Sequence, residues 1–174
     1  MISEKQAIKL LKKYASNNKA YKKVLAHSKA VQKNAIKIAK GIPNINMDFI
    51  KIASLLHDIG RFIYPPGKNS IKHGIAGSKI LRKEGLNRCA KTAERHIGVG
   101  IRIQDIKRQK LKLPLKDYTP KTREEKIIAH ADNLIFGSKV GTLKMVIERY
   151  KNEMGEGYVK RIKQLADEIK SWKR

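Results

Sequence analysis

Apolar residues recur at three- and four-residue intervals along nearly the whole chain, and nowhere does a period-two alternation last long enough to make a strand. This restricts the fold class to all-α. Ser3 with Gln6 forms a capping box ahead of Ile8, Leu11 and Tyr14, predicting a helix over 3–16. A second is predicted over 19–40, stopped by Gly41 and Pro43, and a third over 47–58 through Phe49, Ile52, Leu55 and Leu56. Glycines close further helices over 70–84 and 87–97, and the stretch 98–120 reads as loop with room for one short helix. Thr122 with Glu125 gives another capping box, opening 122–136, and helices over 140–152 and 157–172 complete the chain.

No repeat, low-complexity tract or linker interrupts these elements, and 174 residues suffice for one domain. The expectation is a single domain over 1–174: a core of about 20–136, with the N-terminal helix and the helices of 140–172 packed on it. Apolar runs fall far short of the ~20 residues of a membrane-spanning helix, and the basic N-terminus leads into an amphipathic pattern rather than a signal peptide. A cytoplasmic protein with no membrane partner is therefore expected. Cys89 is the only cysteine, so any metal must be held by His and carboxylate groups.

Forty Lys and Arg against fifteen Asp and Glu give a net charge of +25, which points to anionic partners. Residues 1–40 carry eleven lysines and one glutamate, and 61–118 carry fifteen cations against four acids. Only 41–60 is not basic, and it contains His57-Asp58. Cations spread over two regions, without interleaved aromatics, favour attraction of small phosphorylated molecules over capture of long nucleic acid, although nucleic acid stays open as a partner.

Five histidines stand at positions 27, 57, 73, 96 and 130. In the second helix Val24, Val31, Ala35 and Ile38 form the apolar stripe and His27 lies on it; Asp132 holds the same inward position beside Ile128, Ala131 and Ile135. Taken singly, an inward histidine reads as a hydrogen-bonded core residue. A buried aspartate, however, needs a cation, a metal or hydrogen bonds to offset desolvation. Together with His57-Asp58 these residues form a hard N/O ligand set suited to Fe, Mn, Co, Ni or Zn, among which spacing does not choose.

His27, the doublet within LLHDIGR, and Asp132 within IAHADNLIF resemble the H…HD…D signature of the HD-domain superfamily, metal-dependent phosphohydrolases of all-helical fold. The resemblance spans about 20–136 and is nearest to small stand-alone archaeal members. It implies His27, His57, Asp58 and Asp132 as metal ligands, with His73 and His96 completing a second site and Asp58 bridging two ions. His130 should point away from the cavity. Arg61 stands where relatives have a phosphate-contacting Lys; a salt bridge to a nearby carboxylate is its plain structural role. Lys72, Arg95 and Arg102 flank the proposed ligands and could serve similarly. The implied activity is phosphohydrolase or phosphodiesterase chemistry, by metal-activated water, on a nucleotide or other phosphorylated small molecule, with Asp58 and Arg61 as catalytic residues. A nucleic-acid-associated protein or RNA phosphodiesterase, and less so a di-iron oxygenase, are the alternatives.

Overall fold

The computed structural model describes residues 2–67 and 69–173. Its elements are α1 (Glu4–Tyr14), α2 (Asn18–Ala39), α3 (Met47–Leu56), α4 (His73–Lys83), α5 (Asn87–Arg95), α6 (Ile103–Gln109), α7 (Arg123–Asn133), a hairpin of β1 (Ile135–Phe136) and β2 (Lys139–Val140), α8 (Leu143–Met154) and α9 (Glu156–Ser171). One-turn 3₁₀ segments at Ile59–Phe62 and Ser70–Lys72 link α3 to α4. The all-α expectation holds, and no described helix is long and apolar enough to cross a membrane.

The Ser3–Gln6 box is complete in both directions. At α7 the box is half made: the Thr122 hydroxyl accepts from the Glu125 amide, but the Glu125 carboxylate turns to Arg95 and to the Lys121 amide instead. The helix predicted over 122–136 ends at Asn133, where the chain folds into the β1–β2 hairpin around Gly137, held at φ 67°. Strands of two residues are too short to leave a periodic trace.

The core is centred on α3. Of its ten residues, Phe49, Ile50, Ile52, Ala53, Ser54, Leu55 and Leu56 are buried, as expected of a helix enclosed on nearly all sides. One buried cluster runs from Ala7 and Leu11 of α1 to Ile162 and Ile169 of α9. Around α3, helices α2, α4, α5 and α7 bring four polar residues, His27, His73, His96 and Asp132, to one side of this core.

Candidate metal centre

His57 follows the last residue of α3, and Asp58 starts the 3₁₀ turn beyond it, so the doublet leaves the core at a helix end. His27 projects from the middle of α2, Asp132 from the last turn of α7, His73 from the first residue of α4, and His96 from just after α5. All six predicted ligands meet. His27 Nε2 lies 2.9 Å from Asp132 Oδ1 and 3.7 Å from Asp58 Oδ2. His73 Nε2 and His96 Nε2 lie 3.2 and 3.5 Å from Asp58 Oδ1, and 3.0 Å from each other. Asp58 thus turns one oxygen to each half of the cluster. His57 joins the halves, its ligand atom grouping with His27 and Asp132 on one side and with Asp58 and His96 on the other, all within 4.8 Å.

The imidazoles are oriented by one device. His57 Nδ1 lies 2.6 Å from the Ser54 carbonyl, His73 Nδ1 2.6 Å from that of Ser70, and His96 Nδ1 2.8 Å from that of Ala93, each three residues back. A carbonyl only accepts, so Nδ1 carries the hydrogen and Nε2 is presented to the cluster. For His27 the carbonyl is that of Gly137 at 3.4 Å, supplied by the hairpin.

At His57, His73 and His96 this Nε2 then lacks a donor, whereas that of His27 donates to Asp132. His57 Nε2 is buried with no hydrogen-bond partner among the described residues, and Asp132 Oδ1, at 3.6 Å, is beyond hydrogen-bonding reach. Burial pushes the His96 imidazole down to about 4, so it is neutral at pH 7, and its bare Nε2 faces His73 Nε2 and Asp58 Oδ1. Burial also works against charge on His27, but its hydrogen bond to Asp132 and the two carboxylates prevail and raise it to about 9. Burial would likewise raise both aspartates, yet both are held well below the usual carboxylate range, Asp132 first by its hydrogen bond from His27. Acceptors converging on a buried region of negative potential are what a cation satisfies. The donor set therefore fits divalent first-row metals.

The centre opens into a cavity of about 620 Å³. Among the described residues its cations are Lys23, Arg61 and Arg149, and Val24, Ile97 and Tyr150 contribute apolar surface. Arg61 fills both roles open to it, binding both Asp58 oxygens through Nε at 3.2 and 3.3 Å while lining the cavity. His130 is half-buried, lowered by burial, and off the cavity wall, as expected.

None of the three flanking cations reaches this cavity. Lys72 stands over the Tyr64 ring, and Arg102 lines a separate cleft with Lys126 and Arg161. Arg95 makes two 3.1 Å bonds to the buried Glu125 carboxylate. Arg95→Met should lower unfolding free energy by about 3–5 kcal/mol in urea titration, since it strands a buried carboxylate, and should leave metal content intact. Loss of metal without loss of stability would return Arg95 to the site.

In their place stand Lys23 and Arg149, neither singled out by the sequence. Lys23 is one turn before His27, a signal available in the helical spacing. Arg149 reaches the site only because α8 folds back over the hairpin: its guanidinium lies 4.8 Å from the Phe136 ring centre and 4.6 Å from that of Tyr150, and it donates to the Asn133 carbonyl at 3.2 Å.

The HD domain family model matches residues 24–137. An uncharacterized protein of Methanocaldococcus jannaschii is 40% identical over 171 residues, covering 94% of this chain and 95% of its own length. Two tRNA (cytidine(56)-2'-O)-methyltransferases also match. That of Picrophilus torridus is 40% identical over 85% of this chain, and that of Thermoplasma volcanium 37% identical over 93%. This chain spans only 42% and 45% of those enzymes. Among solved structures, the HD domain of the L. monocytogenes phosphodiesterase PgpH, in complex with cyclic-di-AMP, superposes with a TM-score of 0.56 at 19% identity over 92% of each chain, a likeness of fold. By the family match, and by a relative similar along almost its whole length, the chain belongs to the HD domain family.

Proposed function

We propose that this chain is a metal-dependent phosphohydrolase acting on a phosphodiester or other phosphate ester of a nucleotide, with His27, His57, Asp58, His73, His96 and Asp132 as metal ligands. The observation that carries this reading is the buried His57 Nε2, fixed as an acceptor by Ser54 and left without a donor among other acceptors. When bound, Fe, Mn, Co, Ni or Zn would supply Lewis acidity and a nucleophilic water at neutral pH.

The chain's own residues do the rest. The backbone carbonyls hold the His57, His73 and His96 imidazoles in one tautomer and help to orient His27, so little reorganisation accompanies loading. Asp58 presents an oxygen to each half-site and is itself steadied by Arg61. Arg61 uses Nε for that bond, and the remainder of its planar fork suits phosphoryl oxygens in the cavity. Lys23 and Arg149 add positive charge on the walls, which favours substrates bearing several anionic groups. Cyclic-di-AMP in the PgpH complex and the tRNA-modifying relatives support a nucleotide as the substrate class.

Reconstitution with excess Mn or Fe should load about two ions per chain by elemental analysis, because the six ligands fall into two half-sites sharing Asp58. Hydrolysis of bis(p-nitrophenyl) phosphate and of a nucleotide panel should appear with that loading. One ion per chain would return His73 and His96 to substrate contact, and dioxygen uptake in place of hydrolysis would favour the oxygenase alternative.

A further inference from the structure

Although lysines are scattered along the sequence, the fold concentrates one set of them. Helix α2 carries six, at positions 19, 22, 23, 29, 33 and 37, and no acid. At about 100° per residue they fall within an arc of roughly 120°, opposite the buried Val24, Val31 and Ala35, and from Lys19 to Lys37 they extend over about 27 Å. All six are exposed. The lysine ion pairs among the described residues are made by Lys13, Lys51, Lys116, Lys126 and Lys151, none of them on α2. Within the row, Lys19 with Lys22 and Lys23, Lys29 with Lys33, and Lys33 with Lys37 are like charges at helical-neighbour spacing. Each such pair destabilises the helix, and the cations nearest its N-terminus also oppose the helix dipole.

We infer that the exposed face of α2 is a docking track for the phosphate backbone of a polynucleotide and leads it to the metal-centre cavity. The track and the cavity are continuous: Ala20, Lys23, Ala26 and His27 of the same helix line the cavity wall. A membrane surface fits less well, because the exposed large apolar residues, Ile63, Leu115, Val140 and Met145, are all off α2 and leave the lysine face nothing to insert. An acidic protein partner fits less well for a similar reason, since the face offers no aromatic or apolar anchor of the kind that dominates protein interfaces. A row of flexible ammonium groups without stacking rings recognises phosphates and not bases, so the ligand is defined by its backbone.

The track stands apart from the metal reading, and only its leading to a reactive cavity rests on it. The test is titration of the full chain with fluorescein-labelled oligouridylate and oligodeoxythymidylate, each of about twenty nucleotides, across a salt series. With six lysines engaged, log K should fall against log salt with a slope of about −4, a loss of roughly 10²-fold from low to physiological salt. Replacing Lys19, Lys29, Lys33 and Lys37 by Gln, a residue of equal helix propensity, should flatten the slope by about 3. The charge-matched change of Lys160, Lys163, Lys170 and Lys173 on and after α9 should move it by less than about 1. The ratio between the two oligonucleotides reports whether the ribose is also read. A wild-type slope shallower than about −2, equal losses in the two quadruple variants, or binding to phosphatidylserine vesicles without binding to oligonucleotide would overturn the inference. Binding without hydrolysis would instead count against the proposed activity alone.

Discussion

Asp58→Ala is expected to lose bound metal and phosphate-ester hydrolysis together, each by roughly 100-fold or more, since changes even in the outer partners of metal ligands cost 10–100-fold. Its two oxygens serve different halves of the centre, Oδ2 facing His27 and Oδ1 facing His73 and His96, so one substitution strips a donor from both. It also releases Arg61, which would no longer be held against the cavity wall by its bonds to the carboxylate. His130→Ala, two residues before Asp132 on the same helix but off the cavity, should retain metal and most turnover. Elemental analysis paired with turnover of bis(p-nitrophenyl) phosphate measures both. A second readout separates ligand loss from misfolding: added metal should raise the thermal midpoint of the parent by mass action, and should do so much less in Asp58→Ala. Parallel losses in the two variants would mean that the ligand shell is wrongly drawn.

The reach of the sequence differs between parts of the molecule for physical reasons. His27 and Asp132 were legible because each interrupts an apolar stripe, and a stripe fixes direction without further information. His73 and His96 were not legible in that way. Each stands at a helix end, where the 3.6-residue period gives no orientation, and only the order of the family signature placed them. The structure adds the i−3 carbonyl that orients both. The helix boundaries fell within a few residues of expectation wherever a cap or a glycine marked them. They failed at α7, where the hairpin begins directly after Asn133 and carries no periodic signal of its own. The hairpin matters to the site, because its Gly137 carbonyl meets His27 and its Phe136 ring carries Arg149.

Arg95 and Arg149 show the same limit from opposite sides. Both are cations near the site in sequence or in space, yet Glu125 claims Arg95 while two aromatic rings steer Arg149 to the cavity. Charge and proximity to a motif do not determine which cation faces substrate. The pairing of partners across the fold determines it, Glu125 thirty residues from Arg95 and Phe136 thirteen from Arg149, and a single sequence does not display that pairing.

The glycine of the HDIG segment carries the second large expected effect. A Cβ on Gly60 would lie 1.9 Å from the His73 carbonyl oxygen and 2.5 Å from the Gly77 amide nitrogen, both backbone atoms of α4. No rotamer change relieves a clash with backbone, so the 3₁₀ turn carrying Asp58 and Arg61 must lift from α4. Overpacking commonly costs 1–3 kcal/mol and here should reach the top of that range, about 3 kcal/mol. For a chain of this size that lowers the thermal midpoint by roughly 6–12 °C. The same movement separates Asp58 Oδ1 from His73 Nε2, now 3.2 Å apart, so metal at the His73–His96 half should be lost before metal at the His27–Asp132 half. Gly157→Ala is the control, because a Cβ there meets nothing within 4 Å and the position lies in the first turn of α9, where alanine should be neutral or stabilising by up to about 1 kcal/mol. Calorimetry of both variants, with elemental analysis of Gly60→Ala, decides the matter. A Gly60→Ala midpoint within about 2 °C of the parent, with metal fully retained, would show that the turn can move away from α4 at little cost and that the close approach does not set the geometry of the centre.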